Sequence, residues 1–99
     1  MPVSQATIPT ASASRYLQQL CNHWKHKFAL ENTEVAGHIP FGDGRTCTLA
    51  ATAEGLSLRV AAPDAEALAH LEGVVVDHLK RFAFREDFGA VQWVPVVNA

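Results

Sequence analysis

The chain has 99 residues, 48% hydrophobic and 18% charged, with a formal net charge of −2. That length supports one core rather than two, and the composition excludes a disordered chain. A net-negative chain lacks the basic surface of a general nucleic-acid binder, and no apolar run reaches the roughly 20 residues of a membrane span, so neither partner is expected.

Residues 1–11 form an N-terminal segment punctuated by Pro2 and Pro9, in which Gln5–Ile8 suits a short edge strand. The segment lacks the charged and apolar regions of a secretory signal, which sets a cytoplasmic expectation. In that compartment Cys21 and Cys47 are expected as thiols rather than a disulfide. No repeat or linker divides residues 12–99, which read as a single domain.

Ser12 is the expected N-cap of a first helix over residues 13–29, in which Tyr16, Leu17, Leu20, Cys21, Trp24 and Phe28 recur at three- and four-residue spacing. Three strands follow. Val35, Ile39 and Phe41 share one side of the first strand, with Glu34, Ala36 and His38 on the other. Cys47, Leu49 and Ala51 alternate with Thr46, Thr48 and Ala50, and Leu56, Leu58 and Val60 alternate with Ser57, Arg59 and Ala61. A Gly42-Asp43-Gly44 loop predicts Phe41 opposite Arg45 and Ile39 opposite Cys47. A Glu54-Gly55 loop predicts Ala53 opposite Leu56 and Ala51 opposite Leu58. Both registers set apolar residues against apolar residues.

Asp64 caps a second helix, with Glu66 in its first turn and Leu68, Leu71, Val75, Leu79 and Phe82 as its buried stripe. Its small-residue side (Ala65, Ala69, Gly73, Val76, Ala83) predicts close approach of another element, the first helix or a second copy of the chain. Lys80, Arg81 and Arg85, interleaved with Phe82, Phe84 and Phe88, read as a solvated helix end, since Glu86 and Asp87 cancel charge. Val91–Val97 reads as a last strand that Pro95 confines to an edge. The predicted architecture is α+β: a two-layer sandwich with two helices on one face of a mostly antiparallel sheet of four or five strands. The element order is α-β-β-β-α-β, with or without the short N-terminal strand. The opposite face carries Glu34, His38, Thr46, Thr48, Ser57 and Arg59, polar enough to stay wet or to meet a partner.

The stretch Arg15–Phe28, RYLQQLCNHWKHKF, gathers the residues with chemistry. At about 100° per residue, Cys21 lies on the apolar stripe, His23 roughly 160° away from it, and His26 about 60° from His23. Cys21 and His23 therefore point apart, whereas His23 and His26 are spaced to share an ion if a third ligand comes from elsewhere. His78, near the edge of the second helix's stripe, is the distant companion that would complete a set His23, His26, His78 for iron or zinc. The same geometry separates His70 from His78 by about 80° and excludes a shared ion for that pair. His38 falls on the open sheet face. Cys21 and Cys47 face the same core, where a free cysteine acts as a small apolar side chain. The Gly-rich loop lacks the helix and Lys-Ser or Lys-Thr of a phosphate loop, and no serine or carboxylate pair has a catalytic context.

RYLQQLCNHWKHKF, the hairpin FGDGRTCTL and APDAEALAHLEGVVVDHLKRFAFRE together resemble a family of small bacterial proteins of unknown function over roughly residues 6–93. Cys21-x-His23-aromatic-x-His26-Lys27-Phe28 and Asp77-His78-Leu79-x-Arg81-Phe82 are the most specific matches. The family is similar to a segment fused to some siderophore-interacting flavin reductases, which release iron from chelators. The resemblance implies a functional link to such a reductase, and it supplies no catalytic residues. The expected function is a non-catalytic binding or accessory domain of iron or redox metabolism, self-associating. The alternatives are a small enzyme using histidine acid–base chemistry and a homodimeric interaction module with no ligand.

Overall fold

The structure is a computed structural model, which describes residues 2–83 and 91–96. Eight elements run in the order β1 (Val3–Ile8), α1 (Ala13–Trp24), β2 (Glu31–Asn32), β3 (Ala36–Gly42), β4 (Arg45–Thr52), β5 (Gly55–Ala61), α2 (Ala65–Phe82) and β6 (Val94–Pro95). The six strands form one antiparallel sheet ordered β2-β3-β4-β5-β1-β6. Both helices pack on one face, giving the two-layer α+β sandwich. The sheet has one strand more than the upper expectation, because Glu31–Asn32 adds a short strand to β3.

Alternation dictates the layering. Ile8, Ile39, Cys47, Leu49, Leu56, Leu58 and Val60 are fully buried against Leu17, Leu20, Cys21, Val75 and Leu79 from the helices. Each such apolar side chain contributes on the order of 1.5–3 kcal/mol of transfer free energy. Ser4 is the polar exception on the inner face, and its hydroxyl donates to Glu72 Oε2 at 2.5 Å, tying β1 to α2.

The expected hairpin faces hold, and their loops are corrected. Ile39 does lie opposite Cys47, but Arg45 pairs with Gly42 rather than Phe41, and the register shifts between Pro40 and Gly42. Asp43 and Gly44 have φ of 56° and 78°, the doubly positive turn that an Asp-Gly pair favours in a two-residue hairpin. In the second hairpin Thr52 pairs with Gly55 and Ala51 with Leu56, so Ala53-Glu54 forms the turn and Leu58 lies opposite Leu49. The expected register was two residues off, and a shift of two keeps every side chain on its own face. Gly55, at φ 138°, sits where a Cβ would collide with the Ile8 carbonyl, so it takes a strand position that other residues would strain.

β1 is not an edge: β5 and β6 pair with its two sides, and β6 carries Pro95 at the sheet margin. The described part of the last strand is Val94–Pro95, shorter than Val91–Val97, and Val97 lies outside the described residues. Arg85, Phe84, Phe88, Glu86 and Asp87 of the predicted helix end also lie outside them. Val35 precedes β3 and is 58% exposed, so it leaves the predicted apolar side, and Glu34 likewise lies before the strand.

α1 ends at Trp24, not at residue 29, because Lys25, His26 and Lys27 offer nothing to bury and the backbone closes into a turn. The N–H groups of Lys27 and Phe28 both bond to the Trp24 carbonyl, at 2.9 and 3.0 Å. Ser12 occupies the cap position without a side-chain cap bond, its own N–H bonding Thr10 Oγ1 instead. Asp64 caps α2 as expected, accepting from the Ala67 N–H at 2.8 Å. Of the two elements expected against Gly73, the first helix does not approach it: among the described residues of the chain nothing lies within 4 Å of where its Cβ would stand.

Candidate functional site

The C-terminal end of α1, the middle of α2 and the β3–β4 hairpin meet in a groove of about 270 Å³. The stripe of α1 delivers Trp24, the following turn Lys27 and Phe28, and the hairpin Phe41 and Arg45. α2 supplies His70 and His78. The rings form a chain. His78 lies 4.9 Å from Trp24, Trp24 lies 5.1 Å from Phe41 at 85°, and Phe41 lies 5.1 Å from Phe28 at 72°. The last two contacts are edge-to-face, a geometry that aromatic quadrupoles favour.

His23 joins the chain beside the groove. Its ring centroid is 4.9 Å from His78, 5.7 Å from Trp24 and 5.9 Å from Phe82. His78 Nδ1 lies 2.7 Å from the carbonyl of Val74. A carbonyl only accepts, so Nδ1 carries the proton and Nε2 of the neutral ring keeps its lone pair. This is the arrangement in which a metal-binding histidine is usually held. Desolvation pushes the pKa of His23 below the ordinary histidine value, and repulsion from the neighbouring basic side chains His78, Lys27, Arg81 and His26 pushes it further down. His23 is therefore mainly neutral at pH 7.

The structure thus joins two of the three residues predicted to share an ion. His26 lies past the end of α1, exposed in the turn, so helical azimuth no longer sets its relation to His23. Among the described residues, no three histidine, cysteine or acidic side chains gather closely enough to hold a metal ion. His70 and His78 line one groove despite their different azimuths, because the groove runs along α2.

The cysteines belong to the core. Cys21 and Cys47 are both free and buried. Burial raises both thiol pKa values, and Cys21 adds to the rise at Cys47, which places the two close together. At neutral pH both are protonated and poor nucleophiles. His38 lies on the open sheet face, its Nδ1 3.0 Å from Thr48 Oγ1. Cross-strand pairing extends that row through Glu31, His38, Thr48, Arg59 and Gln5. Trp24, Phe28, Phe41, Lys27 and Arg45 were not singled out from the sequence as groove residues. The aromatics read as core from their spacing, and no spacing says that the β3–β4 hairpin end carrying Phe41 and Arg45 meets the end of α1.

Residues 5–94 match the model of a family described as uncharacterized protein conserved in bacteria, DUF2218. The chain belongs to that family. A solved structure, the NMR structure of PA4090 from Pseudomonas aeruginosa, is 39% identical, with a TM-score of 0.78 over 95% of this chain and 96% of that one. No curated protein matches. The DUF2218 match runs from within β1 to the first residue of β6, so the groove lies wholly within the family region. No helix among the described residues is long and apolar enough to cross a membrane.

Proposed function

We propose that this bacterial domain is a non-catalytic binding or accessory module of iron or redox metabolism, with His23 and His78 as its metal-facing groups and His26 at the rim. One observation carries the reading: His78 is oriented by the Val74 carbonyl through Nδ1, leaving Nε2 unbonded among the described residues, and the ring of His23 is its neighbour. Two histidines supply a partial coordination set for iron or zinc, which water or a ligand-borne donor would complete. The similarity to segments fused to siderophore-interacting flavin reductases supports iron over other metals, and supports such a reductase as the functional partner. Titration with Fe²⁺ and Zn²⁺, comparing wild type with His23→Ala/His78→Ala and His23→Ala/His26→Ala, tests it. Weakening of at least about tenfold in the first pair is expected, and unchanged affinity in both pairs would sink the reading.

The lowered pKa of His23 favours a second reading, a small enzyme using histidine as an acid–base group. NMR titration of the five histidines discriminates: on this reading the midpoint of His23 is displaced downward. The open sheet face supports a third reading, a homodimer with no ligand. Its inner strands present Ala50, Ser57 and Ala61, side chains small enough for a second sheet to approach. A monomeric mass in solution would remove that reading.

A further inference from the structure

We propose that the groove between α1, α2 and the β3–β4 hairpin binds a small aromatic carboxylate, its ring against the Trp24–Phe41–Phe28 array and its carboxylate toward Lys27 and Arg45. The proposal takes the groove as the binding site, as above, but does not depend on metal binding.

Three features select this ligand class. The first is the lining. Five rings (Trp24, Phe28, Phe41, His70 and His78) and the aliphatic Leu71 and Val74 line it, surfaces that favour a flat apolar body. The second is charge. The chain is net negative, at −2, yet the groove is lined by the cations Lys27 and Arg45, with no carboxylate among its described lining residues. A local excess of positive groups on an acidic protein attracts an anion to that place rather than to the surface at large. The third is size. About 270 Å³ is near the lower limit of about 300–1,000 Å³ for small-molecule sites, which favours one or two rings over a dinucleotide or a peptide.

Arg45 is held for the task without being used up. Its Nε–H donates to the Gly42 carbonyl at 3.4 Å, and its guanidinium is 3.6 Å from the Asp43 carboxylate. The Asp43 side chain is 91% exposed, so water screens that pair and it competes weakly with an incoming carboxylate. The carboxylate can engage the remaining N–H donors of Arg45 in charge-assisted bonds, and Lys27 adds a second cation from the turn after α1. The β3–β4 hairpin carries a ring, Phe41, and a guanidinium, Arg45, at one end, beside Trp24.

The experiment is a 2-naphthoate titration of the full chain, followed by NMR at the indole N–H of Trp24, with Trp93 as internal reference and 2-naphthamide as the uncharged isostere. Saturable shifts at Trp24, binding at least about fivefold tighter for the acid than the amide, and about fivefold or greater weakening in Lys27→Gln/Arg45→Gln support the proposal. Both substitutions are at solvent-reachable positions, and an unchanged amide spectrum elsewhere verifies the fold. Equal binding of acid and amide overturns it, as does no response of Trp24 to millimolar naphthoate. A parallel Zn²⁺ titration of the same double variant keeps the two ideas apart. Zinc affinity follows His23 and His78, naphthoate affinity follows Lys27 and Arg45, and either can fail alone.

Discussion

Cys21 and His23 stand two residues apart on α1 and meet opposite surroundings. Cys21 is fully buried and points to Gly37 on β3, with Cys47 close by. His23 is on the exposed side, against the tilted ring of His78. One helix thus separates a packing region from a chemical one. On the core side burial raises both thiol pKa values, which suppresses reactivity. On the groove side desolvation and neighbouring cations lower a histidine pKa, which favours the unprotonated, ligand-competent form. The same physical effect, loss of water, disables one side chain and readies the other.

The core side breaks most easily. A Cβ at Gly37 would stand 2.8 Å from Cys21 Sγ and 3.3 Å from the Asn32 Cβ. Gly37→Ala is expected to cost about 1–3 kcal/mol in denaturant unfolding, through overpacking. The cost should shrink in a Cys21→Ala background, which vacates the nearest atom. An equal cost in both backgrounds would show that Cys21 is not the residue filling that space.

Next in size is the orientation of His78. Replacing it with alanine removes the bond to Val74 and the ring packed on Trp24, for about 1–2 kcal/mol by thermal or denaturant unfolding. His78→Gln should lose about half as much, since the amide keeps some of the packing. A loss below experimental error in both would mean that the ring is not held.

The contrast in thiol chemistry is kinetic. Neither Cys21 nor Cys47 should react with a thiol reagent at pH 7.5 in the folded protein, and both should react once unfolded. Fast labelling of the native chain would contradict the buried pair.

The smallest effect expected is in pH dependence. The folded pKa of His23 lies below its unfolded value of about 6.5. Between the two values the unfolded chain binds more protons, so stability is full above about pH 6.5 and falls as pH drops through that window. His23→Gln should flatten this part of the stability–pH curve, by a few tenths of a kcal/mol at most for so exposed a group. A curve unchanged by the substitution would remove His23 from the coupled cluster.

The sheet was legible because alternation is local. Cys47, Leu49, Leu56, Leu58 and Val60 face the core as their spacing dictates, and a two-residue register error does not change a face. The turns were less legible, since Gly42-Asp43-Gly44 allows loops of two or three residues and only the paired strands choose. The end of α1 was misplaced because Phe28 continues the helical spacing while reaching Phe41 from a turn. The approach of His23 to His78 could be stated as a condition, that both line the space between the helices. What no spacing encodes is which two helix edges meet, because that depends on how both stripes seat on one sheet. Phe41 and Arg45 were hidden for the same reason: spacing puts them together at one hairpin end but does not say that this end meets Trp24 and α2.

The central claim is that His23 and His78 act as a pair, and histidine-ring NMR during a Zn²⁺ titration of the wild-type chain tests it most directly. The account predicts that the Nε2-side ring signals of His23 and His78 respond together at the lowest metal concentrations, ahead of His38 on the open sheet face. A first response at His38, or equal responses from all five histidines, would contradict it.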